Sequence, residues 1–193
     1  MSLDAALDDF PKTIRLKDGL ECLLRPIEST DEKPLHQFFS AVPGGERMFI
    51  KHRVTEPETI RQWCENIDLG RILPLLAFVG DEIIGDASLH LQHGGWKRHI
   101  GRVSVLVHPK FRGRGLARAL VEQVLDIARH SGLEKVEAEF IAQQQQAIHT
   151  FGLLGFTALL RLPDYVKDMQ AISHDYVLMG LDLKTDEEYA GMG

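Results

Sequence analysis

The chain has 193 residues, of which 44% are hydrophobic and 26% charged, enough for one domain of ordinary size with a sizeable core. Its 28 acidic residues outnumber 22 basic ones, which disfavours general nucleic-acid binding, and no run approaches the roughly 18 apolar residues of a membrane span. The first ten residues carry three Asp and no Lys or Arg, so no leader is expected there; Cys22 and Cys64 lack metal spacing, and the expected compartment is a reducing cytoplasm.

In chain order, residues 1–9 read as a loose end. Short apolar-polar runs at Thr13–Leu16 and Leu20–Arg25 flank Lys17, Asp18 and Gly19, and an Asp-Gly pair in that position signals a hairpin. Pro26 ends the second strand. Ser29 or Thr30 can cap a helix whose first turn holds Asp31 and Glu32 and whose apolar face is Leu35, Phe38, Phe39 and Val42. Pro43, Gly44 and Gly45 should break it, and the segment to Val54 reads as irregular and basic, with Arg47, Lys51, His52 and Arg53. Thr55 as cap, Pro57 in the first turn and Glu58 predict a second helix running to about Leu69.

Strands are expected at Pro74–Val79 and Ile83–Leu91 with a tight turn between them, then a loop from Gln92 to Lys97 and a strand from His99 to Val107. In that strand Val103, Val105, Leu106 and Val107 suit burial on both faces. A basic glycine turn follows, in which Lys110, Arg112, Arg114 and Arg118 crowd together with no acid among them. From Leu116 a helical stripe of Ala117, Leu120, Val121, Val124, Leu125 and Ala128 begins, with Ser131 and Gly132 as its stop. The start of such a helix presents unpaired N–H groups at a positive dipole end, a place for an anion. The next strand, Val136–Ile141, implies a right-handed parallel crossover. A helix at Gln144–Leu154 closed by Gly155 and an antiparallel pair at Phe156–Leu162 and His174–Leu183 complete an α/β architecture: one mixed sheet with a local parallel strand pair. The expected division is an N-terminal extension with an extra hairpin strand (1–19), the domain itself (20–183) and a frayed tail (184–193).

The turn is neither Gly-x-x-x-x-Gly-Lys-Ser/Thr nor Gly-x-Gly-x-x-Gly, since Arg118 stands at the last glycine position. The order Arg112-x-x-Gly115-x-Ala117 does match Arg/Gln-x-x-Gly-x-Gly/Ala, and here the chain resembles the GCN5-related N-acetyltransferases (GNAT). Gln144-x-x-Ala147-x-x-x-Phe151-x-x-x-Gly155-Phe156 is similar to that family's Asn-x-x-Ala-x-x-x-Tyr-x-x-x-Gly-Phe signature. The opening Lys17-Asp18-Gly19, Arg25-Pro26 and Phe38-Phe39 pattern looks most like the acetyltransferase domain of bacterial protein-lysine acetyltransferases. The resemblance implies a GNAT-like fold splayed around its cofactor, acetyl-CoA (coenzyme A) or another acyl-CoA as co-substrate with no metal, and an amine acceptor, either a protein lysine or a small amine or amino acid. It also implies that Arg112, Gly113, Arg114, Gly115, Leu116 and Ala117 wrap the pyrophosphate. Backbone groups of Val105, Leu106 and Val107 would pair with the pantetheine arm, and Gln144 would reach the cofactor or remain a solvated helix-start residue. Neither nucleic acid nor membrane is expected as a partner, and a homodimer is compatible with the reading.

The chain departs from the family at two places. Phe151 occupies the position of the acid Tyr and cannot donate a proton; packing near the sulfur is its expected role. Arg102 occupies the position of a base Glu. Strand alternation puts Glu137 and Glu139 on the face opposite Val136, Ala138 and Phe140, and makes Glu139 the candidate base, directly or through water, with Lys135 or Arg102 as an ion partner. The alternative for Glu139 is a surface or ion-paired carboxylate. His108 and His149 read as solvent-facing or capping groups, and the cysteines as core thiols. A basic rim at Pro43–Val54 would favour an acceptor bearing a carboxylate, such as an amino acid, or an acidic protein patch; the alternative is a solvated loop. The alternative from another class is a non-catalytic acyl-CoA-binding or sensor domain.

Overall fold

The computed structural model describes residues 3–47, 50 and 53–183. The expectations at Met48, Phe49, Lys51 and His52 and for the tail 184–193 lie outside the described residues. Among the described residues eight strands form one sheet in the order β1-β2-β3-β4-β5-β6-β8-β7. They are β1 Lys12–Arg15, β2 Glu21–Pro26, β3 Ile72–Val79, β4 Glu82–His90, β5 Ile100–Val107, β6 Lys135–Ile141, β7 Thr157–Lys167 and β8 Ser173–Asp182. Only β5 and β6 run parallel; the other neighbours are antiparallel.

The helices divide between the two faces. On one lies α5 (Leu116–His130), whose stripe Leu116, Leu120, Val121, Val124, Leu125, Ile127 and Ala128 is buried against Leu75, Ala77, Ala87, Leu89, Val103 and Val136. Burial of each large side chain in that stripe stabilises the fold by about 1.5–3 kcal/mol. The helix sits close because β4 carries Gly85, where a Cβ would lie 2.8 Å from Leu120 Cδ1. On the other face α2 (Glu32–Ala41) and α4 (Pro57–Glu65) bury Leu35, Phe38, Phe39, Ile60 and Cys64 against Leu76, Phe78 and Ile83. Arg25 fixes α2 to the sheet: it donates two 2.7 Å bonds to buried Asp31 and lies over the Phe78 ring at 4.3 Å.

Several boundaries differ from the sequence reading. Residues 3–7 form a short helix, α1, whose Leu3, Ala6 and Leu7 pack on the core beside α5 rather than hanging loose. Neither Ser29 nor Thr30 caps α2. They form a 3-10 turn with Asp31, whose carboxylate accepts from the Glu28 N–H at 2.8 Å. Pro43 does stop α2, but Gly44–Arg47 then turns once more as α3. For α4 the cap is Glu56, not Thr55, and the helix stops at Glu65, four residues early, because the Asn66 side chain folds back onto the Gln62 carbonyl at 2.8 Å. β7 runs past Leu162 to Lys167 by way of register shifts.

Candidate active site

The parallel pairing of β5 and β6 is short. Ile100, Gly101 and Arg102 pair with Lys135, Val136 and Glu137, and then the strands part although β5 continues to Val107 and β6 to Ile141. His108 N–H donates to the Ile84 carbonyl at 2.9 Å, so the alternate residues Leu106 and Ser104 bond β4, opposite Asp86 and Ser88. The backbone groups of Val105 and Val107 therefore face the opening. An open strand edge of this kind accepts an extended ligand as though it were another strand.

Beyond Val107 the chain turns through His108 and a 3-10 turn at Pro109–Phe111 into Arg112 and α5. Gly115, at φ +85°, is the residue from which α5 starts; a side chain there would be strained. None of the N–H groups from Arg112 to Arg118 bonds another group among the described residues. These donors fit a pyrophosphate at a helix N-terminus. The side chains around them behave differently from the sequence reading. Acids pair with the three arginines of the basic cluster: Arg112 makes a two-pronged pair with Glu46 of α3 at 2.8 and 2.9 Å, Arg114 pairs with Asp18 of the β1–β2 hairpin at 2.7 Å, and Arg118 pairs with Glu122, one turn along α5, at 2.8 Å. Arg112 Nε also donates to the Val107 carbonyl at 3.1 Å, tying the turn to the end of β5. The backbone supplies the free donors, and the guanidinium groups brace it.

The face of the sheet opposite α5 is uncovered where β5 and β6 part, and polar side chains collect there. Arg102 Nη1 donates to Glu139 Oε2 at 3.0 Å, and the Tyr176 hydroxyl donates to Glu139 Oε1 at 3.0 Å. Lys97 lies 3.5 Å from Glu137. Beside them a cavity of about 320 Å³ is lined by His90, Lys97, Gly101, Arg102 and Glu137. Of the two expected partners of Glu139, Arg102 is the one in place; Lys135 pairs with Asp182 instead. Tyr176 was not singled out in the sequence. Its only signal there is its place in the final strand, and its proximity to Glu139 follows from β8 inserting between β6 and β7. Burial and the Glu139 charge push the phenol up to about 12, so Tyr176 holds its proton and acts as a donor.

The remaining candidates are placed as follows. Phe151 is 1% exposed and stacks edge-on between Phe140 and Phe156, each 4.9 Å away, as part of the core wall behind the opening. Gln144 is exposed, and its Oε1 accepts from the Ile141 N–H at 2.9 Å, which holds the turn between β6 and α6 (Gln145–Leu153). His108 is buried and caps the 3-10 turn, its Nδ1 accepting from the Lys110 N–H at 3.2 Å, while His149 is exposed. Cys22 and Cys64 are buried in opposite cores, and burial raises Cys64 to about 11, which keeps it a thiol. Of the expected basic rim, Arg47 is bonded to the Ser40 and Val42 carbonyls and Arg53 to Glu56. No group of metal-ligating side chains is present among the described residues.

The acetyltransferase (GNAT) family matches residues 37–156. The chain belongs to this family. It is 30% identical over 135 residues to an L-amino acid N-acyltransferase of Escherichia coli, covering 67% of this chain and 76% of that one. A shorter match, 33% over 75 residues and 36% of this chain, is to an L-methionine sulfoximine/L-methionine sulfone acetyltransferase of Salmonella typhimurium, of which it covers 44%. Among solved structures, the GNAT domain of an S. lividans PAT superposes with a TM-score of 0.72 at 21% identity, covering 89% of this chain and 96% of that one. An acetyltransferase of Salmonella typhimurium with acetyl-CoA bound superposes at 0.70 and 22%, covering 85% and 95%. The protein is an acetyl-CoA-dependent N-acetyltransferase. The parted strands and the free N–H run fit that co-substrate.

Proposed function

We propose that the chain moves an acetyl group from acetyl-CoA to the amino group of a small acceptor that also bears a carboxylate, an amino acid or close analogue. The observation that carries this reading is the charge pattern where β5 and β6 part. Arg102 and Lys97 stand beside Glu137 and Glu139, and Arg102, 42% exposed, uses only Nη1 on Glu139, leaving donors to spare. Such a site offers a carboxylate for the acceptor's ammonium and a guanidinium for its carboxylate. A protein lysine presents no free carboxylate to match. The two relatives described as acting on amino acids or their analogues support the same reading.

In this assignment the backbone of Arg112, Gly113, Arg114, Gly115, Leu116 and Ala117 wraps the pyrophosphate, and Val105 and Val107, flanking Leu106, pair with the pantetheine arm. Gln144 Nε2 is a further donor beside the arm, and Phe151 supports the apolar wall behind it. Glu139, with both oxygens already accepting bonds, holds the acceptor's ammonium in register with the thioester. The amine must lose a proton before it attacks, because an alkylammonium of pKa about 10.4 is mostly charged at neutral pH.

The test is thiol release from acetyl-CoA with amino acids, their decarboxylated amines and lysine peptides, using the wild type and R102A. Amino acids should turn over, and Arg102→Ala should raise their KM at least tenfold while leaving CoA affinity unchanged. Turnover confined to lysine peptides, or an equal loss for amines with and without a carboxylate, would overturn the assignment.

A further inference from the structure

One buried acid has no charged partner among the described residues. Asp86, in the middle of β4, is 9% exposed, and among the described residues only the Ser88 hydroxyl bonds its carboxylate, at 3.0 and 3.4 Å. Among the described residues no cation balances it. Across the sheet β3 presents Leu76 and β5 presents Leu106. From above, α2 brings Phe38 and Phe39, while its charged Glu32 and Lys33 are exposed and His36 lies 3.0 Å from the Thr55 carbonyl. On α4, Glu58 and Arg61 pair with each other at the surface. On the same strand face His90 lies four residues along, and Arg102 of β5 is held by Glu139. An unpaired carboxylate costs far more inside a core than in water, so its place here calls for a use.

The sheet register supplies one. Ser88 lies directly opposite Ser104, and Asp86 directly opposite Leu106. Directly opposed side chains have Cβ atoms about 4.5–5.5 Å apart, close enough for one water to bridge the two serine hydroxyls. Ser104 is exposed and lies on β5 just beyond Arg102, where β6 turns away. A row of Asp86, Ser88 and Ser104 thus leads from the interior to the acetyl-transfer opening. Each hydroxyl can accept one proton and release another.

We propose that Ser104, Ser88 and Asp86 form a relay that takes the acceptor's amine proton out of the opening and into the buried carboxylate; this rests on the acceptor binding beside Glu139 as assigned above. An N–H bond of the acceptor ammonium breaks, its proton passes to the Ser104 oxygen, the Ser104 proton passes through one bridging water to Ser88, and the Ser88 proton passes to Asp86. The ammonium becomes a neutral amine and the carboxylate a carboxylic acid. The amine nitrogen then forms its bond to the thioester carbonyl carbon, the C–S bond breaks, and the second amine proton goes to the departing thiolate. Asp86 afterwards returns its proton to solvent along the same hydroxyls. Burial raises Asp86 to about 7, with the Ser88 bond opposing that rise, so it changes protonation near neutral pH. Asp86 does not touch the acceptor; it acts through Ser104.

The relay is tested by the pH profile of kcat/KM for the best amino-acid acceptor in the wild type, D86N, S88A and S104A, with CoA affinity measured by calorimetry for each. D86N should lose the inflection near pH 7 and fall at least tenfold above it, and S104A, an exposed change that leaves the core intact, should show a similar loss with the inflection weakened. CoA affinity should be unchanged in all three variants. A wild type that turns over, with a D86N variant that keeps the same inflection and rate, overturns the relay and leaves the acceptor assignment standing. A wild type that acetylates no amino acid overturns both. A titration of Asp86 followed by carboxyl-carbon NMR in the wild type adds a readout free of turnover: a midpoint near 7 is expected, and one below 5 overturns the relay.

Discussion

Replacing Asp86 by Asn should change how the stability of the protein depends on pH. In the folded state burial raises this carboxyl from the ordinary 3.8 to about 7. A raised carboxyl favours the folded state while it is protonated, so its contribution is full below about pH 4 and is lost as pH rises toward 7. At about 1.4 kcal/mol per pH unit, the loss across the whole interval is roughly 4 kcal/mol, and from pH 5 to pH 8 roughly 2–3 kcal/mol. Asn keeps the shape and an oxygen for the Ser88 hydroxyl but does not titrate. Urea unfolding of wild type and D86N at pH 5 and pH 8 isolates the term, because the histidines and surface acids titrate alike in both. The wild-type midpoint should fall relative to D86N by about 1 M between the two pH values, at an m-value of ~2 kcal/mol/M. The carboxylates whose values lie below the ordinary range, Asp18, Glu58, Asp168 and Asp175, act only at more acidic pH. Parallel midpoints for the two proteins would show that Asp86 is ionised in the fold and would remove the reason for treating it as a proton acceptor.

Two further outcomes follow from the geometry. Gly115→Val forces a β-branched residue to φ +85° at the start of α5; by turning the N–H groups of the loop it should weaken CoA binding at least tenfold by calorimetry, while far-UV circular dichroism stays that of a folded protein. An unchanged CoA affinity in the folded variant would remove the loop from the site. Phe151→Ala opens a cavity between Phe140 and Phe156 and should cost about 3–5 kcal/mol in urea unfolding; a cost under about 1 kcal/mol would mean the ring is not part of the core wall.

The stretch from Val103 to Ala128 was legible in the sequence because two independent patterns meet there, an apolar strand run and a helical stripe starting right after a glycine turn; the expected cover on both faces of that strand is not met, since Ser104 is exposed and Val105 and Leu106 are half-buried where β6 turns away. The parallel pairing of β5 and β6 followed from that connection, and their parting from the family resemblance. What sequence could not show was which acids pair with the arginines of the basic turn. Glu46 and Asp18 lie 66 and 96 residues away from Arg112 and Arg114, and only the folded sheet brings them together. Helix ends were misplaced where a side chain further along decided them, as Asn66 does for α4. Tyr176 reached Glu139 through a strand inserted between two others, an order that spacing does not encode. Asp86 had a faint signal, an acid followed two residues later by Ser88 within an otherwise apolar strand, on one face by alternation. Reading it needed the register that sets Ser88 against Ser104.

The measurement that bears most directly on the account is free-thiol release from acetyl-CoA by the purified protein across amino acids, their decarboxylated amines and lysine peptides at pH 8. The account predicts saturable turnover with one or more amino acids and little with amines that lack the carboxylate. Turnover with lysine peptides alone would contradict the reading of Arg102 and Glu139 as a site for a zwitterionic acceptor.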